Sequence, residues 1–374
     1  MSKKILLFST FFPPHIGGVE YYSLGLANYL SSNGYEVYVI TTTQEHVENP
    51  NFKVLVLDSI GLIGGRFPLV SVTSNNRRIF RLLKDGCFSG AIIQTRFYSL
   101  SLLATRFVKK ERIPSIVIEH GTGHFTFSNA VINKIGEWYE HLITYFIKKN
   151  CHIFYGVSHE CCKWLKHFGI EAKGVFYNAI DINEFDNISF SNKSKDGKTS
   201  IAFVGRLIPE KGINKLISAF QEIYKDNKNI ELLIAGTGEI YDEYKDREVE
   251  GISFLGRIAH SRVLELLKKC NIYCFPSDYP EGFPTTILEA AATRTLVITT
   301  EAGGAKEFVC DGEYGVLIKE NTVPEIARLL QKYVVDVEER ERIANNAYNR
   351  VMELFTWNTV GKQIMEALNN EGRN

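Results

Sequence analysis

The segment KILLFSTFFPPHIGGVEYYSLGLANYLSSNGYEVYVITT, residues 4–42, decides the fold class of this chain. It begins with a short, continuously apolar run (4–10) and passes through a turn that contains two glycines. A stretch with helical spacing (19–34) then ends at Gly34, and a second apolar run follows. Runs that are apolar throughout, rather than alternating, are typical of strands buried in a parallel sheet. The segment therefore predicts a βαβ unit with parallel strands.

The same alternation continues along the chain. Further apolar runs predicted to be strands are FKVLVLD (52–58), GAIIQT (90–95), PSIVIEH (114–120), SIAFVGR (200–206), IELLIAGTG (230–238), ISFLG (252–256), NIYCFPS (271–277) and TLVITT (295–300). A polar stretch interrupts the alternation and is predicted to be a linker. We therefore predict an α/β chain with an N-terminal domain over 1–186, a linker over 187–199, a C-terminal domain over 200–352 and a returning C-terminal helix over 353–374. In such sheets ligands bind beyond the carboxyl ends of the strands.

The composition describes a globular protein, with 45% hydrophobic and 23% charged residues among 374. The net charge is zero, but residues 1–185 carry 19 Lys and Arg against 14 Asp and Glu. A basic first half suits an anionic surface such as a membrane. Seven cysteines without metal-ligand spacing favour a reducing compartment. The apolar start resembles a signal peptide but has no cleavage site, and no run approaches the ~18 apolar residues of a membrane span. We expect a cytoplasmic protein without a nucleic-acid partner.

Three loops after predicted strands contain candidate ligand-binding residues. Gly17 and Gly18 precede a helix whose N-terminal amides attract an anion. Arg206 and Lys211 follow the first strand of the second domain, where a guanidinium and an ammonium suit a diphosphate. His120 follows a strand of the first domain, where an imidazole can donate to a phosphate or a sugar hydroxyl or carry a proton.

The fourth loop is PEGFPTTILEAAAT (280–293), which contains two glutamates. Thr286 and Glu289 fit a capping box, in which the Glu289 carboxylate reaches back to the Thr286 amide. The capping box does not explain Glu281, which precedes the turn. We therefore predict that Glu281 accepts hydrogen bonds from ligand hydroxyls, while helix amides from about Pro284 onward face phosphates.

Together these motifs resemble the retaining glycosyltransferases of family GT4, which have the GT-B fold and include enzymes of bacterial glycolipids. The resemblance runs in the family's order through PPHIGGVE (13–20), EHGTG (119–123), YNAIDINEF (177–185), FVGRLIPEKG (203–212), AGTGE (235–239), FLGRI (254–258), PEGFPTTILEA (280–290) and EAGGAKEFVCDGEYGVLI (301–318). FTWNTVGKQIMEAL (355–368) resembles the family's tail helix, which crosses back to the N-terminal domain. The chain departs from the family at NAID, where N-G-[VI]-D is commoner, and at the lysine of GGAKE.

The resemblance implies two Rossmann-like, doubly wound parallel-sheet domains facing across a cleft, with a nucleotide-sugar donor held mainly by the second. Glu281 would bind donor sugar hydroxyls, and Glu289 would bind the ribose. Arg206 and Lys211 would neutralise the diphosphate, helped by the Gly18 amide. The remaining implied positions are His120 near the reacting centre, Gly256, Arg257 and Ile258 at the base, and Gly17, Gly282, Phe283, Pro284, Thr285 and Thr286 around the phosphates, with Phe283 to Thr286 supplying backbone amides.

The implied reaction is metal-independent, because no D-x-D motif is present, and needs no cofactor. The acceptor hydroxyl attacks on the front face, and the departing phosphate takes its proton. A hexose from a UDP-sugar is favoured, with a GDP-sugar next. The alternatives are a nucleotide-sugar epimerase of GT-B architecture and a non-catalytic nucleotide-sugar-binding protein. An NAD-dependent oxidoreductase would need a complete G-x-G-x-x-G motif, which is missing.

The expected acceptor is a lipid-linked glycan in O-antigen, capsule or related surface-polysaccharide synthesis. Basic, aromatic-bearing segments such as NRRIFRLLK (76–84), FVKKER (107–112) and VINKIGEWYEHLITYFIKK (131–149) suit docking on an anionic leaflet. Helices that pack on a sheet and expose solvated outer faces explain the same pattern equally well.

Overall fold

The computed structural model describes residues 3–45, 49–125, 130–185, 193 and 197–372. The chain divides into two compact units. The first comprises Met1–Ala179 with Trp357–Asn374, and the second comprises Ile180–Thr356. Of the linker predicted over 187–199, the structure describes only Lys193 and residues 197–199.

The first unit is built on a six-stranded parallel sheet in the order β3-β2-β1-β6-β7-β8. β1 pairs with β2 on one side and with β6 on the other, so the strand order reverses next to β1. A separate antiparallel hairpin consists of β4 and β5, which the sequence analysis did not predict. The strands are β1 (Lys4–Phe8), β2 (Glu36–Thr41), β3 (Lys53–Val56), β4 (Ser59–Leu62), β5 (Phe67–Val70), β6 (Gly90–Gln94), β7 (Ser115–Glu119) and β8 (Phe154–Gly156).

In the described part of the first unit, helices follow several of these strands. They are α1 (Gly18–Ser32), α2 (Ser74–Lys84), α3 (Ser99–Glu111), α4 (Ala130–Lys148) and α5 (His159–His167). Gly34 lies just beyond α1 with φ +82°, and its N–H donates to the Ser31 carbonyl at 3.0 Å, as the predicted helix end requires. The core combines the central strands with the inner faces of α2, α3 and α4. It therefore buries apolar side chains on the sheet, as the continuous apolar runs predicted.

The second unit has the same kind of sheet, in the order β11-β10-β9-β12-β13-β14, and all its pairs are parallel. The strands are β9 (Thr199–Val204), β10 (Ile230–Ala235), β11 (Ile252–Gly256), β12 (Ile272–Phe275), β13 (Leu296–Thr299) and β14 (Val316–Leu317). The helices are α6 (Ile213–Asp226), α7 (Glu239–Tyr244), α8 (His260–Lys269), α9 (Thr285–Ala292), α10 (Ala305–Val309), α11 (Val323–Val335) and α12 (Val337–Leu354). The predicted α/β class with two doubly wound sheets is confirmed.

The last helix, α13 (Trp357–Glu371), belongs to the first unit. Its buried face includes Trp357, whose ring meets the Tyr22 ring of α1 edge-on at 5.0 Å. Tyr22 in turn contacts the His120 ring at 4.8 Å. The C-terminal helix therefore packs behind the residues that carry the first-unit candidate site.

Within the described residues, no helix has both the length and the apolar character needed to cross a membrane.

Candidate active site

In the second unit, two loops that are distant in sequence meet where the strand order reverses. β9 and β12 are neighbours in the sheet, with Ile201 opposite Ile272. The loops that follow them therefore leave the sheet side by side. The backbone N–H of Asp278 in the second loop donates to the Glu210 carbonyl of the first, at 2.8 Å. A crevice at such a switch point is where ligands bind in open parallel sheets.

Lys211 and Glu281 form an ion pair across these two loops. Lys211 ends a short 3₁₀ helix after β9, and only 8% of its surface is exposed. The Glu281 side chain is 16% exposed. The family resemblance implies that the two residues bind different parts of the donor, and the sequence gives no structural role to Glu281. The structure corrects the second point, because Glu281 balances the charge of a buried lysine.

The neighbours of Lys211 have opposing effects on the pKa of its ammonium group. Burial lowers the pKa of its ammonium group below 10.5, and the neighbouring Arg206 lowers the pKa further, whereas Glu281 opposes both effects. A bound anion would act in the same direction as Glu281 and favour the charged lysine. Lys211 is therefore a cation that either a carboxylate or a phosphate can stabilise.

Tyr279 holds both predicted cations of the site. The Arg206 guanidinium lies 5.2 Å from the centre of the Tyr279 ring, and the Lys211 ammonium lies 4.8 Å from it. Arg206 itself is exposed. Cation–π contacts of this kind attract a positive charge to the ring face without neutralising it. Tyr279 therefore positions Arg206 and Lys211 while leaving their charges available to an anion.

A second loop, after β13, supports the Glu281 turn from behind. The Gly304 N–H donates to the Gly282 carbonyl at 2.9 Å. Gly303 has φ +55°, and a side chain at this position would collide with the Glu281 carbonyl. Only glycine combines that backbone conformation with such a close approach. The EAGG motif thus fixes the loop that carries Glu281.

The predicted capping box of Glu289 is wrong. α9 begins at Thr285 with Pro284 as its N-cap, so Thr286 lies inside the first turn, and among the described residues this helix start has no side-chain capping hydrogen bond. The Thr286 hydroxyl instead shares a hydrogen bond of 2.8 Å with Tyr273. Glu289 lies in the middle of the helix, too far along it to reach the N-terminal amides.

Glu289 instead pairs with His260, the first residue of α8. The His260 Nε2 atom lies 3.0 Å from the Glu289 carboxylate. This hydrogen bond raises the pKa of His260, against the lowering effect of burial. Glu289 is therefore a buried carboxylate held by an imidazole, and it keeps a second oxygen with which it can accept a ligand hydroxyl.

The other donor positions in the second unit are more dispersed. Gly256 is the last residue of β11, and Arg257 and Ile258 follow it; β11 is the edge strand, two strands away from β9. Gly256 is buried, whereas Arg257 is exposed. Phe283 is buried and packs against the Phe355 ring, 5.7 Å between ring centres. The expectation of a continuous row of amides from 283 to 286 needs a correction, because Pro284 has no N–H to donate.

In the first unit, His120 lies at the end of β7 in a defined hydrogen-bonding geometry. Its Nε2 atom lies 2.7 Å from the Gln94 side-chain oxygen, which can only accept, so Nε2 carries the proton. Burial lowers the pKa of His120 to about 3. The imidazole is therefore neutral near neutral pH, which favours a hydrogen-bonding role over proton transfer. Glu119 fixes the turn by accepting from the His120 and Gly121 N–H groups, at 3.2 and 2.9 Å.

The Gly17–Gly18 turn contains an anion of its own. Gly17 is the N-cap of α1, and a side chain there would collide with the Glu20 carboxylate. Glu20 is buried and pairs with His15, Nδ1 to Oε1 2.6 Å, a contact that raises the pKa of His15. A ligand phosphate at this helix N-terminus would have to share it with the Glu20 carboxylate. Gly18 is exposed in this turn.

Sequence reasoning missed residues that position the candidate site residues within each of the two units. They are Tyr279, His260, Gly303, Glu119 and Glu20, and each acts through a partner that is distant in sequence or on another turn. The EAGG motif was the available signal for Gly303, and the histidine close to FLGRI was the available signal for His260.

Comparisons with known proteins agree with this architecture. A family described as "Glycosyltransferase Family 4" matches residues 16–184, and one described as "Glycosyl transferases group 1" matches residues 184–350. An uncharacterized glycosyltransferase of Methanocaldococcus jannaschii is 27% identical, over 95% of this chain and 95% of the relative. A phosphatidyl-myo-inositol mannosyltransferase of Mycolicibacterium smegmatis is 25% identical, over 93% of this chain and 89% of the relative.

Among solved structures, Anabaena HepE in complex with UDP and glucose has a similar fold. Its TM-score is 0.75 at 18% identity, and the alignment covers 98% of this chain and 100% of HepE.

Proposed function

We propose that this chain, which belongs to the family 4 glycosyltransferases, transfers a hexose from a UDP-sugar to a lipid-linked glycan. Enzymes of this family retain the anomeric configuration and use nucleotide-sugar donors. A GDP-sugar is the second candidate donor. The observation that carries the proposal is the Lys211–Glu281 pair beside Arg206. It combines two cations suited to a leaving diphosphate with a carboxylate suited to sugar hydroxyls.

In the proposed reaction, the acceptor oxygen bonds to the anomeric carbon on the face from which the phosphate departs. The bond between that carbon and the phosphate oxygen breaks, and its electron pair remains on the nucleoside diphosphate. The acceptor's proton passes to the departing phosphate oxygen. Lys211 and Arg206 stabilise the charge that develops on the leaving group, and this stabilisation is the main catalytic demand.

Donor binding in this proposal changes the partner of Lys211. Without donor, the ammonium pairs with Glu281. With donor, a phosphate oxygen shares the ammonium, and the Glu281 carboxylate turns to the hydroxyls of the sugar. The exchange keeps the buried lysine charged throughout, because an anion is always next to it. Glu289, held by His260, is proposed to accept from the ribose hydroxyls.

His120 is proposed to orient the transferred sugar. Since its Nε2–H donates to Gln94, its Nδ1 atom is unprotonated and accepts from a sugar hydroxyl. Burial lowers the pKa of His120 to about 3, which favours the neutral imidazole near neutral pH. We therefore assign His120 a positioning role and leave the proton transfer to the phosphate.

The proposed acceptor is presented at a membrane surface, and α4 supports this idea better than α2 does. In α2, Ile79 and Leu83 of the basic segment belong to the core, which removes most of its supposed docking face. In α4, large exposed apolar residues recur at intervals of three or four, on one side of the helix. They are Val131 67%, Ile135 61%, Trp138 66%, Leu142 40% and Tyr145 52% exposed.

A stripe of this length spans about 20 Å at the rise of an α-helix. Lys148 in the last turn of α4, and Lys149 directly after it, add positive charge beside the stripe. An exposed apolar stripe with flanking cations is the pattern of a helix that lies in the interface of an anionic leaflet. The similar mannosyltransferase, whose name gives it a phosphatidylinositol substrate, is consistent with an acceptor of this kind.

The donor can be identified by a thermal-shift panel of UDP- and GDP-sugars. A sugar nucleotide that binds the folded state raises the melting temperature through mass action. The donor that stabilises the protein is then supplied with lipid extracts, and transfer of labelled sugar into the lipid phase is measured. Stabilisation by UDP-hexoses followed by labelled lipid is the expected result. Transfer to water-soluble oligosaccharides alone would reject the lipid acceptor.

Membrane docking can be tested separately by flotation with phosphatidylglycerol–phosphatidylcholine vesicles. The wild-type protein is expected to float with the vesicles at low salt, and Trp138→Ser is expected to remain in solution. Leu82→Ser is the matched control, because Leu82 is 54% exposed on α2. Equal flotation of the Trp138 and Leu82 variants would rule out α4 as the docking face.

A further inference from the structure

Three histidines of the first unit converge on one point from three separate elements. His124 lies in the loop after β7, His141 lies on α4, and His167 ends α5. One ring nitrogen of each lies within 4.8 Å of the others. The closest pair is the Nε2 atoms of His141 and His167, 3.2 Å apart. These residues lie outside the donor site described above.

The spacing of the three rings matches that of imidazoles around one metal ion. The distances between ring centres are 5.7 Å for His124–His141, 5.3 Å for His124–His167 and 5.0 Å for His141–His167. In a tetrahedral zinc site the nitrogens lie about 2.0–2.1 Å from the metal, which puts neighbouring ring centres roughly 5 Å apart. The nitrogens, which lie within 4.8 Å of one another, have to approach to roughly 3.3 Å in a tetrahedral site, so binding requires a change in the side-chain torsions of the histidines. The ring centres are already close to the separations that such a site needs.

Two of the three histidines have close neighbours outside the cluster. His124 Nδ1 lies 3.2 Å from the Glu140 carboxylate, within ion-pair distance but without the geometry of a hydrogen bond. Glu140 is buried and is itself held by Arg96, at 3.1 Å, and by the Phe125 N–H, at 3.1 Å. On the other side, the Trp164 indole stacks on the His167 ring at 4.8 Å. Two of the three rings are thus fixed by neighbours.

The cluster lies between a buried charged network and solvent. Arg96 lies between two buried carboxyl groups, Glu119 and Glu140, at 3.3 and 3.1 Å. His141 and His167 are exposed, which gives an ion a path from solvent and a position for water as fourth ligand.

We propose that His124, His141 and His167 bind a zinc ion that links the loop after β7 to α4 and α5. Imidazole ligands with one water position suit Zn²⁺ among the common divalent metals. The site is separate from the leaving-group chemistry, for which the proposal above uses Lys211 and Arg206. The bound zinc holds the loop that carries His120, because His124 lies four residues after His120 on that loop. Glu119 connects the same loop to Arg96.

The test uses full-length, tag-free protein stripped with EDTA. Isothermal titration with ZnSO₄ measures affinity and stoichiometry, and Co²⁺ replaces zinc as a spectroscopic probe. We expect one zinc per chain, a visible absorption typical of four-coordinate Co²⁺ and a higher melting temperature with metal. His141→Ala is expected to weaken zinc binding by at least the roughly 10–100-fold that loss of an outer partner causes.

The matched control is His152→Ala, because His152 is an exposed histidine of the same unit outside the cluster. Circular dichroism in EDTA shows whether each variant is folded. If His141→Ala does not fold, His167→Ala serves as the second ligand variant. Equal zinc affinities of the His141→Ala and His152→Ala variants would overturn the proposal. The absence of zinc binding to the wild-type protein would overturn it as well. The Co²⁺ spectrum separates a three-imidazole site from weak surface binding.

Discussion

The sharpest prediction concerns Lys211, whose buried ammonium we assign to the leaving diphosphate. The variant Lys211→Met keeps the length of the side chain and removes its charge. Removing one partner of a buried ion pair costs about 3–5 kcal/mol, because the other charge is left uncompensated. Here the Glu281 side chain keeps 16% of its surface exposed, so water relieves part of that cost. We therefore expect the free energy of unfolding to fall by about 1–3 kcal/mol.

The effect on catalysis has a different origin and a different size. Loss of one preorganised group that stabilises developing charge lowers kcat on the order of 10²–10³-fold. The double variant Lys211→Met/Glu281→Gln removes the uncompensated carboxylate and is expected to regain much of the stability, with a coupling free energy of about 1–2 kcal/mol. It should not regain kcat, because no cation is restored at the diphosphate.

Urea unfolding gives the stabilities of wild type, the two single variants and the double variant, and release of nucleoside diphosphate gives kcat. Lys215→Met is the matched control, because it removes a lysine of an exposed ion pair with Asp278, worth about 0–1 kcal/mol. Recovery of kcat in the double variant would refute the assignment, because Lys211 would then act only by balancing Glu281. An unchanged kcat in Lys211→Met would refute it directly.

The same pair predicts a change in pH dependence. Burial and Arg206 lower the pKa of Lys211, and Glu281 raises it. In Glu281→Gln the raising influence is lost, so Lys211 deprotonates at a lower pH than in the wild-type protein. The alkaline limb of the kcat/KM profile should therefore move to lower pH. An alkaline limb that does not move would show that Glu281 is not the partner that keeps Lys211 charged.

Two further predictions concern the residues that support the donor site. The hydrogen bond to Glu289 raises the pKa of His260 above 6.5, so this pair stabilises the fold fully below that pH and loses its contribution as pH rises through the raised value. His260→Gln should therefore lower the melting temperature more at about pH 6 than at about pH 8, and equal losses would contradict the assigned pair. Gly303→Ala should raise the KM for donor at least tenfold, on the order of 1.4 kcal/mol, because the added methyl displaces the Glu281 carbonyl. Gly34→Ala is the control with a positive φ but open space around it, and a similar KM for both variants would argue against the displacement.

The local sequence determined the elements of the fold and the chemical character of the donor site. Continuous apolar runs predicted buried parallel strands, and most of the predicted runs coincide with strands of the two sheets. The residue types of Arg206, Lys211 and Glu281 could be assigned to a diphosphate and a sugar, because charge and hydrogen-bonding capacity belong to the side chain itself. The hairpin β4–β5 escaped prediction, because each strand has only four residues, β4 is largely exposed and β5 contains a proline.

Only the tertiary structure decided which of these residues are partners. Lys211 pairs with Glu281 because β9 and β12 are neighbours in the sheet. No local sequence pattern predicts that strand order. The predicted capping box failed for a related reason, since Tyr273 and His260, from other elements, engage Thr286 and Glu289. The three histidines come from a loop and two helices and share no spacing in the sequence. Side-chain chemistry is local, whereas the partner that sets a charge, a pKa or a ligand geometry is chosen by how the chain packs.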